Sequence, residues 1–164
     1  MDNKYQKSID MLNKATGLEI ATSLQYMYFH VHCEELGYRY LAEMFHRISI
    51  AEMHHIEEFS ERILFLGGDV EMNPSFRTLQ VTDVNEMLKM AMELEQNTVE
   101  NYNEWAKLSC DNKDAGTRQL FVETIAEEES HLDRFRTEFD NMKAYGENYL
   151  LLQSIAESKH ANKE

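Results

Sequence analysis

The chain has 164 residues, enough for one domain with a real core, and holds a single proline and six glycines, too few for an all-β or disordered chain. Its formal charge of −14 argues against a nucleic-acid face, which needs clustered basic residues, and against an anionic membrane surface, while suiting a protein that gathers cations. No apolar run reaches the roughly 20 residues needed to span a bilayer, Met1-Asp2-Asn3-Lys4 carries no secretory pattern, and Cys33 and Cys110 stand outside any CxxC pair, so a cytoplasmic, reducing location is expected.

Sparse punctuation predicts long helices. The first periodic stretch runs from about Tyr5 to Glu35, with Leu12, Thr16, Glu19, Ser23, Tyr26 and Cys33 on one face, three and four residues apart. Leu36-Gly37 marks a turn. The second stretch, about Tyr38 to Leu66, carries Phe45, Ile48, Glu52, His55, Phe59 and Ile63 on its stripe and stops at Gly67-Gly68. Residues 69–82 hold the only proline, in Asn73-Pro74, and read as a long connection. Thr82 is the expected N-cap of a third helix, about Asp83 to Ser109, striped by Val84, Leu88, Glu95, Val99 and Tyr102. After a short break at residues 111–114, a fourth helix runs from about Ala115 to Tyr145, striped by Phe121, Ile125, Glu128, Leu132 and Phe135. Gly146 ends it. A short fifth helix is expected over about residues 147–157, and Ser158 to Glu164 read as a frayed end.

Short links make antiparallel neighbours, whereas a long link can run the length of a bundle and leave its two helices parallel. The prediction is therefore all-α: a single domain over residues 1–164, with a four-helix bundle over about 5–145, one long crossover and a short C-terminal helix, the ferritin-like topology. In that topology Cys33 and Cys110 fall at opposite ends, beyond disulfide reach.

Two copies of one motif carry the chemistry. Glu52-Met53-His54-His55 and Glu128-Glu129-Ser130-His131 each place a glutamate three residues before a histidine. On a helix that spacing turns about 300°, so both side chains leave nearly the same face. Glu19 and Glu95 add one glutamate on the stripe of each remaining long helix. Buried carboxylates are costly unless paired or metal-bound, and four of them with two imidazoles suit iron or manganese, with zinc as an inert competitor. Glu43 and His46 share the spacing but lie nine residues earlier, about half a turn out of phase, and read as surface. Tyr26, two turns after Glu19, is placed to hydrogen-bond a ligand carboxylate or supply an electron. Tyr102 and Trp105 read first as core packing, with a redox relay as the alternative. Met53 points about 100° away from Glu52, with Ile50, toward a subunit interface; a methionine sulfur is also an axial haem ligand.

The chain resembles the bacterioferritins over nearly all of its length. The resemblance rests on Leu18-Glu19, Gln25-Tyr26, Ser49-Ile50-Ala51-Glu52-Met53-x-His55, Glu61-Arg62-Ile63-Leu64-Phe65-Leu66-Gly67, Glu93-Leu94-Glu95, Glu127-Glu128-Glu129-x-His131 and Asn148-Tyr149-Leu150. It implies a twenty-four-subunit shell holding ferric mineral. It implies a di-iron ferroxidase site in each bundle with Glu19, Glu52, His55, Glu95, Glu128 and His131 as ligands, Glu52 and Glu128 bridging. It further implies a b-type haem on each two-fold axis, held by Met53 from both subunits, and a ferredoxin partner for iron release. Some family members carry an inner-surface iron site built from a histidine and an aspartate, five and one residues before the second-helix glutamate. Here those places hold Arg47 and Ala51, and His46 and His54 also depart from the commonest haem-pocket neighbours. The expected function is iron storage and detoxification: Fe(II) is oxidised by O2 or H2O2 and the product moves to the cavity or stays as a fixed cofactor. The alternatives are a Dps-like or rubrerythrin-like peroxide scavenger, although the CxxC iron module of a rubrerythrin is absent and a Dps-type shell places its ligands between subunits, and a purely structural bundle that takes up no metal.

Overall fold

A computed structural model describes residues 3–146 and 148–161. It contains α1 (Gln6–Glu35), α2 (Arg39–Phe65), α3 (Val84–Asp111), α4 (Ala115–Tyr145) and α5 (Asn148–Ala161), with no strand among the described residues. α1 pairs with α2 and α3 with α4, and α5 lies against α2 and α4. Ser23 donates to the Ser49 carbonyl and Tyr26 packs on Phe45, so α1 and α2 run antiparallel. Phe45 shares a core with Leu88 while Phe59 meets Tyr102, so α2 and α3 run parallel, as a long crossover requires.

The crossover is pinned to α1 along its course. Asn13 bonds Asp69 O and Glu71 N–H, Ser75 N–H donates to Gly17 O at 2.9 Å, and the Gln25 amide exchanges two hydrogen bonds with Leu79. These contacts satisfy backbone groups of a segment that has no secondary structure of its own. Gly17 permits the approach: a Cβ there would lie 2.7 Å from Ser75 Oγ and 2.9 Å from Asn73 O.

Several boundaries differ from the sequence expectation. The N-cap of α3 is Asp83, whose carboxylate accepts the Glu86 N–H at 3.0 Å, and not Thr82. Aspartate caps at least as well as threonine, and Asp83 is the last residue with extended backbone. α3 continues two residues past Ser109, to Asp111, where the Asn112 N–H closes the last turn on the Leu108 carbonyl at 2.9 Å. α5 continues through Ser158 to Ala161, its Ser158 hydroxyl bonded to Ser154 O, so the expected fraying does not begin there. The expected fifth-helix start at residue 147, the tail at 162–164 and the Met1-Asp2 start lie outside the described residues. Cys33 and Cys110 are free; Cys33 is buried with its sulfur 3.7 Å from Met87 Sδ, burial pushes its thiol up to about 12, and it is an inert core filler.

The core has two apolar halves. One gathers Tyr26, Phe29, Phe45, Leu88 and Phe135; the other gathers Leu12, Phe59, Ile63, Tyr102 and Phe121. The stripe glutamates lie between them. Gly17→Ala should push the crossover off α1 and destabilise the subunit by about 1–3 kcal/mol, read as a lowered thermal midpoint and faster proteolysis at residues 66–83; unchanged values would show that the segment has slack.

Candidate metal centre

Glu19, Glu52, His55, Glu95, Glu128 and His131 come together at the centre of the bundle, each no more than 7% exposed. One long helix supplies each glutamate, and the Glu-x-x-His spacing sets each histidine one turn from its own. The histidines face each other with ring centroids 6.4 Å apart.

The two motif glutamates divide their oxygens between the rings. Glu52 places Oε2 3.0 Å from His55 Nδ1 and Oε1 3.1 Å from His131 Nδ1. Glu128 places Oε1 3.0 Å from His55 Nδ1 and Oε2 3.3 Å from His131 Nδ1. Glu52 Oε1 and Glu128 Oε1 lie within reach of a ring nitrogen but off its N–H direction, so both buried oxygens lack an aligned hydrogen bond. Around these shared carboxylates the donors fall into two sets: Glu19, Glu52, His55 and Glu128, and Glu52, Glu95, Glu128 and His131, with candidate ligand atoms within 4.8 Å of one another in each. Two cations, each with one imidazole, one glutamate of its own and a share of two bridging carboxylates, fit this arrangement. Four ionised carboxylates also match the charge of two divalent ions.

Without metal, the same surroundings favour protons in that role. Burial, then the charges of Glu128 and Glu52, raises Glu19 well above the usual carboxylate range, and burial with Glu52 and Glu128 does the same to Glu95. Burial works against charge on the rings, yet Glu128 and Glu52 outweigh it, raising His55 to about 12 and His131 to about 9. Burial also opposes charge on Glu128, but His131 and His55 hold it well below the ordinary value.

Tyr26, fully buried, donates its hydroxyl to Glu95 on α3. Glu43 pairs instead with Arg47 at 2.7 Å, and His46 packs against His30, so the out-of-phase motif stays away from the centre. Met53 is 52% exposed on the outer side of α2, beside Ile50. Two groups lie outside the expected set. Tyr102 is more than core packing: its hydroxyl donates to Glu19. The signal was available, since Tyr102 follows Glu95 by the same seven residues that separate Tyr26 from Glu19. Glu127, largely exposed, reaches His55 Nε2 at 3.1 Å and holds the ring's far side; its neighbour Glu128 gave no sign of that reach.

A family model described as a ferritin-like domain matches residues 9–145. The bacterioferritin of Desulfovibrio desulfuricans is 31% identical over 149 residues, covering 91% of this chain and 83% of that protein. The chain belongs to the bacterioferritin family. The bacterioferritin of Brucella melitensis is 30% identical over 141 residues, covering 86% of this chain and 88% of that one. The X-ray structure of the D. desulfuricans bacterioferritin, which describes its diiron site in different catalytic states, matches with a TM-score of 0.88 at 31% identity, covering 90% of this chain and 86% of that one.

Loading the site must displace the ring protons. Glu128 and Glu52 favour the charged form of both rings at neutral pH, pushing His131 up to about 9 and His55 up to about 12. Zinc uptake at pH 7 should therefore release at least two protons per pair of ions, one from each of His55 and His131, with further release from Glu19 and Glu95. Apparent affinity should rise with pH and lose its His131 component above about 9. Unbuffered titration reads the protons; pH-independent binding would contradict this protonation pattern.

Proposed function

We propose that this chain is an iron-storage ferroxidase whose substrate, Fe(II), binds in pairs at the six central residues. The observation that carries the reading is the division of the Glu52 and Glu128 oxygens between the two imidazoles. Glu52 and Glu128 bridge the two irons, Glu19 and His55 complete one position, and Glu95 and His131 complete the other. The protein's contribution is positional: it holds two ions close together in a dry pocket of matched charge. Each Fe(II) gives up one electron. With H2O2 as oxidant, two Fe(II), one peroxide and two protons yield two Fe(III) and two waters; with O2, the same two electrons and two protons yield H2O2. The protons displaced from the rings and terminal glutamates are a local source for this demand.

Storage needs an enclosing assembly, and the reading includes a twenty-four-subunit shell. Large apolar side chains stand in solvent on the isolated subunit, Phe65 at 77% and Leu152 at 66% exposure, and fit burial between subunits. All six ligands belong to one chain, which favours this shell over a Dps-type assembly with ligands between subunits. Met53, exposed beside Ile50, fits a position where two copies meet and both thioethers reach one b-type haem. When bound, that haem supplies a one-electron carrier, and a ferredoxin is its expected donor during iron release. No described helix is long and apolar enough to cross a membrane, and a cytoplasmic location is part of the proposal.

Glu128→Ala removes a shared oxygen from both positions and should slow Fe(II) oxidation at least a hundredfold in stopped flow, on the order of losing a ligand; an unchanged rate would reject the site. Met53→Leu keeps the apolar surface and should abolish the Soret band of haem-reconstituted protein while leaving the oxidation rate unchanged. A retained band would remove Met53 as haem ligand.

A further inference from the structure

The two halves of the chain repeat. Glu19, Tyr26, Glu52 and His55 each return as the same residue type 76 positions later, as Glu95, Tyr102, Glu128 and His131. Phe45 and Phe59 return likewise as Phe121 and Phe135. The α1–α2 pair and the α3–α4 pair are the two repeats, and the dimetal pocket lies where they face each other.

The correspondence extends to contacts, and it is reciprocal. Tyr26 of the first repeat donates to Glu95 of the second; Tyr102 of the second donates to Glu19 of the first. Both rings have no exposed surface. Each is held by two phenylalanines, one from each repeat: Tyr26 lies 5.9 Å from Phe45 and 5.3 Å from Phe135, and Tyr102 lies 5.3 Å from Phe121 and 5.6 Å from Phe59. Rings packed on both sides cannot swing, so each hydroxyl is fixed in space.

A terminal glutamate needs such an anchor more than a bridging one. Glu52 and Glu128 each lie against both imidazoles, whereas Glu19 has only a distant approach to His55 at 3.9 Å and Glu95 leans on Glu128, itself a carboxylate that a cation would claim. The last torsion of a glutamate is broad, and a dry pocket offers no water to set the plane of the carboxylate. A hydroxyl on one oxygen sets that plane and leaves acceptor capacity for a cation.

We propose that Tyr102 is the positioning residue for Glu19, as Tyr26 is for Glu95, so that each metal position is organised by the tyrosine of the opposite repeat. This rests on the dimetal reading above. Its distinguishing consequence is spatial: removing either hydroxyl weakens one position and spares the other, and the two variants weaken opposite positions.

The test is zinc anomalous diffraction on crystals of the full-length protein and of Tyr102→Phe and Tyr26→Phe, soaked at limiting zinc. Tyr102→Phe should weaken binding about tenfold at the position between Glu19 and His55 and leave the one between Glu95 and His131 filled; Tyr26→Phe should do the reverse. In solution, zinc titration of either variant should show one of two binding steps weakened about tenfold and the other unchanged. Equal losses at both positions, loss at the wrong position, or no loss would overturn the assignment. Failure of the unsubstituted protein to bind two ions would instead reject the dimetal reading, and this inference with it.

Discussion

The structure turns on one electrostatic constraint. Four carboxyl groups and two imidazoles share a pocket closed to water, and like charges about 4 Å apart repel by about 4 kcal/mol per pair even at an effective dielectric of 20. They coexist because the site stays close to neutral in either state. Without metal, the surroundings favour protons on His55, His131, Glu19 and Glu95. In the proposed metal-bound state two divalent ions take the place of those protons. On the proposed reading that exchange would couple metal uptake to proton release.

The rest of the fold holds that pocket in place. The two apolar halves of the core stand on either side of it and present their tyrosine hydroxyls to it. The long crossover, stitched to α1, allows α2 and α3 to run parallel, and parallel running brings Glu52 and Glu95 to the same level. Each of four helices then contributes one carboxylate, and no loop takes part. A site on helices is held more rigidly than one on loops, as the geometry of two closely spaced ions demands.

Helical periodicity made most of this legible in the sequence. Glu43-His46 and Glu52-His55 are the same motif, and only the half turn between them separates a half-exposed pair from a buried one. The topology followed from the unequal link lengths. Periodicity reports which face a residue occupies, but not how far its side chain reaches across the bundle. Thus Tyr26 and Tyr102 occupy equivalent positions, and nothing along either helix reveals that each serves a glutamate of the other helix pair. Glu127 sits off the stripe of α4 and still touches His55, because its long side chain reaches round the edge of α4 to α2. The division of oxygens at Glu52 and Glu128 is likewise a three-dimensional property, although two matched motifs on facing helices made it the natural arrangement.

The most direct measurement is iron anomalous diffraction from crystals soaked anaerobically with ferrous salt. The account predicts two iron ions in every subunit, both touching Glu52 and Glu128, one bound by His55 Nδ1 and Glu19 and the other by His131 Nδ1 and Glu95. A pocket with no iron in it, or iron held only at surface carboxylates, would contradict it.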